Sequence, residues 1–540
     1  MSGIPKHGDE TQNHSSINGI ESVVTAESME QRNQDLQEEL QKARYPWVLA
    51  LALFTALGFA QAPSNPQQDA PNELQQRISH FLDPGNGAWA TEQIDAMSRI
   101  REAALSDDYA LRELRHLSNN IGPRLSGSAQ AAHAVDYVAG ELRALGATVT
   151  LEKTMVDHWV RGIETGALVD WVGMAPNTTQ KIVLTALGGS VATSAVGITA
   201  PVLVVPDFYA LKRLPEGAAK GKIILFNYAF DKQLAAQGLG VEAYDKAVVY
   251  RGAGPSLASS LGAAAVLVRS VGGADYRLPH TGVVFYDPAA PKIPAAAVAA
   301  EDADLIADLA AQGSVQMKLT LTPQTLPKTQ SYNVIADWKG STQPEQVVIV
   351  SGHLDSWDLG TGALDDGAGV AVSMQVIQLM QKLDIHPKRT IRFIAWMDEE
   401  FGAAGAATYA TDHAAELEEH VGALETDVGA DHPTGINFSG SQELKEWLAP
   451  VARQLDPIGA SRVASGADAG ADIDSVVSRG VPGFEPAQDS RQYFNYHHSA
   501  ADTFDKVDPR HLSENAAVVA VLAYALADAS TRAPRAALAQ

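Results

Sequence analysis

The sequence predicts an α/β chain in which a mixed, mostly parallel sheet lies between two layers of helices, with a separate β-rich segment set into it. Three observations predict this. From Asn333 onward, short apolar runs alternate with longer stretches of helical periodicity, the rhythm of strand–helix–strand units. Between residues 157 and 321 that rhythm gives way to short apolar runs broken by Gly and Pro. The 540 residues also exceed the size at which one hydrophobic core stops growing, so at least two folded units are expected.

Residues 1–44 are polar and poor in aromatics, which reads as a disordered extension or a loose helix. Residues 47–60 are uncharged and apolar, follow Lys42 and Arg44, and run into Ala60-Gln61-Ala62. A basic flank, a short apolar core and small residues are the parts of a secretory signal. The core is shorter than the roughly twenty residues that span a bilayer comfortably. Residues 45–62 are therefore expected to export the chain as a signal peptide, to a periplasm or the exterior. The alternative is an uncleaved signal that anchors it to a membrane. Distance from Met1 and the following Pro63 both count against cleavage, and a start at Met29 would remove most of the first objection. Residues 63–77 read as a linker.

The globular part begins near residue 78. Residues 106–117 are expected to form a helix with Ser106 as N-cap. Residues 129–145 place Ala131, Val135, Val138, Leu142 and Leu145 on one helical face, with Gly146 as the stop, and residues 148–152 follow as a strand. Residues 78–156 form the first part of the main domain and 157–321 the insert, with strands at 201–205, 222–226 and 261–268 and a helix at 301–311. Residues 322–529 form the second part. There, strands at 347–350, 392–397 and 421–425 alternate with helices at 367–383 and 403–410, and an apolar helix covers 513–527. Residues 530–540 read as a disordered tail.

The formal charge of −24, without any basic run, excludes nucleic acid as a partner, because phosphate binding needs a Lys/Arg surplus. The absence of cysteine excludes disulfides, thiolate catalysis and Cys-ligated zinc.

In open parallel sheets, ligands bind beyond the carboxyl ends of the strands. The strand at 347–350 runs into His353-Leu-Asp355, the strand at 392–397 into Asp398-Glu399-Glu400, and the strand at 421–425 into Glu425-Thr-Asp427. Between the first two lies Asp365-Asp366-Gly, a loop entering a helix. Alone, each piece reads as a turn or a helix start; three strands delivering carboxylate or imidazole at one end read as a metal site. His and carboxylate ligands without thiolate suit catalytic zinc. Two metals can share one bridging carboxylate, while a further, unligated carboxylate moves the proton.

These segments, with Tyr496-His497-His498-Ser-Ala-Ala-Asp502-Thr503, resemble the motif series of the co-catalytic di-zinc aminopeptidase and carboxypeptidase family; Asn333-Val-Ile-Ala and Gly122-Pro-Arg-Leu-Ser-Gly are similar too. The likeness runs from about residue 100 to 525. It implies a three-layer α/β/α, phosphorylase/hydrolase-like peptidase domain with an inserted protease-associated domain. It implies two Zn2+ per chain, with Asp365 bridging, His353 and Asp427 completing one ion, and Glu400 and His498 the other. It further implies Glu399 as general base, Asp355 as the carboxylate orienting His353, and a cis peptide between Asp365 and Asp366. The family's pattern selects His498 over its neighbour His497. Asp472 reads equally as a helix cap or as an acidic residue near the site, and His116, His133, His413 and His420 read as helix-surface residues.

The implied activity is hydrolysis of short peptides by an aminopeptidase or dipeptidase, with a homodimer as one arrangement. The alternatives are an amide deacylase, a glutaminyl cyclase, or a non-catalytic receptor-like protein, whose relatives lack several ligands. Cleaved export gives a mature chain beginning at residue 63; an intact mass that retains residues 45–62 selects the anchor instead.

Overall fold

The computed structural model describes residues 89–465 and 469–535. The expected extension, signal segment and linker lie outside the described residues. Among the described residues no helix is long and apolar enough to cross a membrane.

Among the described residues, sixteen strands form two eight-stranded sheets. In chain order, β1 (Thr148–Val160) belongs to the first sheet. The second sheet holds β2 (Glu164–Asp170), β3 (Gln180–Ile182), β4 (Leu184–Ala186), β5 (Ile198–Val205), β6 (Ile223–Phe226), β7 (Ala265–Arg269), β8 (Ala295–Val298) and β9 (Gln316–Leu321). The first sheet is completed by β10 (Gln324–Trp338), β11 (Gln343–His353), β12 (Arg389–Trp396), β13 (His420–Glu425), β14 (Pro433–Ser439), β15 (Arg462–Ser465) and β16 (Gly483–Gln488). Its order is β1-β10-β12-β11-β13-β16-β14-β15. The central strands β12, β11, β13 and β16 are parallel, whereas β1–β10, β10–β12 and β14–β16 pair antiparallel. The sheet is mixed, as expected, and the structure puts its parallel part in the middle.

Alternate residues of a strand face opposite sides, and here both sides are core. Val348 and Val350 of β11, with Ile391 and Phe393 of β12, pack among residues of the helices Ala368–Lys382 and Pro509–Asp528. Val347, Ile349, Ile394 and Trp396 pack on the other face with Tyr409 and Val476. A strand covered on both faces must be apolar throughout, which is why 347–350 reads Val-Val-Ile-Val. Three layers follow. In the second sheet, Ile223 and Leu225 face one cluster while Ile224 and Phe226 face another. Five helices lie between its strands (Phe208–Lys212, Lys232–Ala236, Gly240–Gly252, Gly254–Ser260 and Ala300–Gln312), more helix than the strand-and-turn texture suggests.

Several local expectations are corrected. Ser106 ends a helix, Thr91–Leu105, and its hydroxyl donates back to the Glu102 carbonyl. The next helix starts at Tyr109, whose N–H is accepted by Asp107. Leu261 closes the helix Gly254–Ser260, so the strand expected from 261 begins at Ala265. His420 is fully buried at the start of β13, its Nε2 2.7 Å from the Tyr409 hydroxyl. The first residues of the expected tail are fixed: Arg535 donates to the carbonyls of Leu417, Glu418 and His420.

Asn333 ties the edge of this sheet to the turn after β12. Its Nδ2 donates to Glu152 and to the Gly405 carbonyl, and its Oδ1 accepts the Met397 N–H at 3.2 Å. Asn333→Ala strands a buried N–H and is expected to cost about 1–3 kcal/mol in chemical denaturation; an unchanged midpoint contradicts this role.

Candidate active site

The strand ends converge. β11 delivers His353 and β13 delivers Glu425, with Asp427 just beyond; the turn after β12 delivers Asp398, Glu399 and Glu400. Asp365 stands at the centre. His353 Nε2 is 3.1 Å from Asp365 Oδ1 and 3.2 Å from Asp427 Oδ1. His498 Nε2 is 3.2 Å from Asp365 Oδ2 and 3.0 Å from Glu400 Oε2. The chain thus places two triads, His353/Asp365/Asp427 and Asp365/Glu400/His498, around one shared carboxylate. The Asp365–Asp366 peptide is cis.

The neighbours hold these groups rigidly. Asp366 turns away from Asp365 and accepts the N–H groups of His353 and Gly369. Asp502 accepts the N–H groups of Ala363, Leu364 and Asp365, at 3.0, 2.7 and 3.3 Å. Arg124, fully buried, donates to the carbonyls of Leu354, Thr361 and Gly362. Asp355 acts differently from expectation. His353 Nδ1 lies 3.0 Å from the Asp355 carbonyl oxygen but 4.0 Å from its carboxylate. The carboxylate instead accepts the N–H groups of Asp398, Glu399 and Glu400 and the Ser126 hydroxyl. It fixes the acidic turn, in which Asp398 is held at positive φ.

A carbonyl only accepts, so His353 Nδ1 carries a proton, and its Nε2 faces two carboxylate oxygens. That arrangement needs a positive charge, either a second proton or a cation. Burial would lower the His353 pKa, yet the charges of Asp427, Asp365 and Glu399 raise it well above the usual imidazole value. Burial would raise Asp365, but His497, His353 and His498 hold it well below the carboxylate range. Burial pushes Glu400 up to about 7 and raises Glu399 and Asp427. Asp365 Oδ2 and Glu400 Oε1 have no hydrogen-bond partner. Buried oxygens left over beside an imidazole are the donor set a divalent cation takes.

Both histidines of the pair approach Asp365, since His497 Nε2 lies 3.4 Å from Oδ2, but His498 is the one paired with Glu400. Asp472 caps nothing: its fully buried carboxylate has no hydrogen-bond partner and lies behind Glu425, which accepts the Asp472 and Ile473 N–H groups.

The sequence reading missed the contribution of the second sheet's segment. His280 Nε2 is 3.0 Å from His497 Nδ1, and Arg251 Nη1 is 3.3 Å from His498 Nδ1. Tyr244 stands edge-on to His497, while Trp357 from the first sheet's side stands edge-on to His498. A cleft of about 120 Å³, lined by Leu364, Val428, Asp431, Tyr493, Tyr496 and Lys506, includes the chain neighbours of Asp365 and Asp427.

With this geometry in place, three comparisons agree. The model of peptidase family M28 matches residues 333–523. Mouse carboxypeptidase Q is 37% identical over 446 residues, which cover 82% of this chain and 91% of the mouse protein. The chain belongs to peptidase family M28. Bovine carboxypeptidase Q is 34% identical over 482 residues, 89% of this chain and 96% of that one. The crystal structure of a peptidase M28 precursor from Shewanella amazonensis has a TM-score of 0.77 at 33% identity, covering 82% of this chain and 98% of its own. A zinc aminopeptidase from Bacillus subtilis, at 21% identity and TM-score 0.57, shares the fold. Membership in M28 makes the chain a peptidase, a hydrolase of peptide bonds.

One glycine limits the site. A Cβ at Gly369 would lie 1.9 Å from the Thr426 carbonyl oxygen and 2.5 Å from both Asp366 oxygens. Gly369→Ala is expected to lower the yield of folded protein sharply. Gly140→Ala, on an exposed helical turn with nothing nearby, is expected to stabilise by about 0.5–1 kcal/mol. Equal behaviour of the two in thermal denaturation contradicts the close approach.

Proposed function

We propose that this M28 peptidase is a zinc-dependent exopeptidase acting on short peptides, with two metal ions on either side of Asp365. The observation that carries the reading is the pair of triads sharing that carboxylate. His353 and Asp427 would hold one ion, Glu400 and His498 the other. The donor set fits: imidazole nitrogens and carboxylate oxygens, with Asp365 Oδ2 and Glu400 Oε1 free to bind. Zinc, when bound, supplies Lewis acidity that polarises a carbonyl and acidifies water.

The chain's own groups do the rest. Glu399 stands in the acidic turn beside Glu400, and burial raises the proton affinity of its carboxylate. It takes the proton of the attacking water as oxygen adds to the scissile carbonyl carbon. It then returns that proton to the amine nitrogen as the C–N bond breaks. Asp355 is a positioning residue, since it holds the N–H groups of that turn. The cleft beside Leu364 and Val428 admits one side chain of a short substrate. The segment at 157–321 acts as the protease-associated insert, sets Arg251 and His280 against His498 and His497, and restricts access to small peptides. The complete ligand set favours hydrolysis over a cyclase or receptor-like role. Export through residues 45–62 is part of this reading.

Glu399→Gln is expected to retain metal while losing at least about 100-fold in kcat on dipeptides or aminoacyl anilides. Asp365→Ala is expected to lose metal as well as activity. Elemental mass spectrometry beside the rate assay checks both, and an active Glu399→Gln enzyme removes the general-base assignment.

A further inference from the structure

A second cluster of metal-ligating side chains lies outside the site around Asp365. His511 and Glu514 are three residues apart in the opening turns of the helix Pro509–Asp528, a spacing that puts both on one face. His432, the residue before β14, meets them: its Nδ1 is 2.7 Å from Glu514 Oε2, and its ring centroid is 5.6 Å from that of His511. One ligand atom from each residue lies within 4.8 Å of the others. The Glu514 side chain is only 2% exposed. His511 Nδ1 is buried without a hydrogen-bond partner, 3.9 Å from Asp431 Oδ1.

We propose that His432, His511 and Glu514 form a separate zinc site, with Asp431 as the fourth ligand. Two imidazoles and carboxylates, without thiolate, are a zinc donor set, and Zn–N and Zn–O bonds of about 2 Å place tetrahedral ligand atoms about 3.3 Å apart. The side chains close by roughly an ångström to reach it. Arg510 opposes loading: its Nε donates to Glu514 Oε1 at 2.9 Å, but its side chain is 80% exposed and free to swing into water. The site joins two pieces of the fold. Asp431 and His432 end the segment that begins at Asp427, so an ion here fastens that segment to the C-terminal helix. The inference stands apart from the dinuclear reading, because it uses none of those ligands.

The test is equilibrium dialysis of the full chain against zinc, with metal counted by elemental mass spectrometry in the wild type, His432→Ala/His511→Ala and Arg510→Ala. The double variant is expected to bind one zinc per chain fewer while keeping its peptidase activity. Counting by difference makes the result independent of occupancy around Asp365. Arg510→Ala removes an exposed side chain and leaves Glu514 paired with His432, and is expected to bind that same zinc about threefold tighter, the worth of a largely solvated ion pair. Equal zinc content in the wild type and a folded double variant overturns the proposal. So does unchanged or weaker affinity in Arg510→Ala, which decides the matter if the double variant fails to fold.

Discussion

The structure depends on keeping negative charge buried. Asp355, Asp365, Asp366, Glu400, Glu425, Asp472 and Asp502 are each at most 4% exposed, and all lie around one end of the parallel strands. A carboxylate taken from water must be neutralised, hydrogen-bonded or protonated. The fold uses each solution. Asp355, Asp366 and Asp502 accept backbone N–H groups from the loops they organise. Arg124 places a guanidinium among them while its donors hold loop carbonyls. Burial raises Glu425 and Asp502 towards the protonated form, to about 8 and 7. Asp365 and Glu400 are the exception, since each keeps one oxygen without a hydrogen bond, Asp365 Oδ2 facing the imidazoles of His497 and His498. The ordering of the loops and the demand for a cation are two results of the same packing.

The sheet makes that packing possible. Parallel β11, β12 and β13 bring their carboxyl ends to one edge, and apolar residues on both faces leave the polar groups nowhere else to gather. The antiparallel partners β1 and β10 extend the sheet on one side. Through Asn333, β10 also supports the turn that carries Glu399 and Glu400.

Most of the peptidase half was legible in the sequence, because doubly covered strands are apolar throughout and the charged residues follow them at once. The runs 347–350 and 421–425 show both features, with His353 and Asp427 just past them, and Asp398–Glu400 follow the strand at 392–397 in the same way. The Asp365-Asp366-Gly loop and His498 were placed by their motifs, not by periodicity. What stayed hidden is contributed across long separations. Arg251 and His280 are more than 200 residues from the histidines they meet, and a lone Arg or His among apolar strands carries no local signal. The role of Asp355 was half legible: its place near His353 followed from spacing. Which of its oxygens faces the imidazole is set by how the turn after β12 folds back, and no spacing records that. Ser106 misled because a Ser before a periodic run looks like an N-cap, whereas the helix Thr91–Leu105 already occupies the turn before it.

The central claim is that one carboxylate, Asp365, serves two cations. Anomalous diffraction at the zinc edge from crystals of the zinc-loaded protein tests it most directly. The account predicts two peaks in contact with Asp365, one also bounded by His353 and Asp427, the other by Glu400 and His498. A single peak in that region, or peaks that do not touch Asp365, would contradict it.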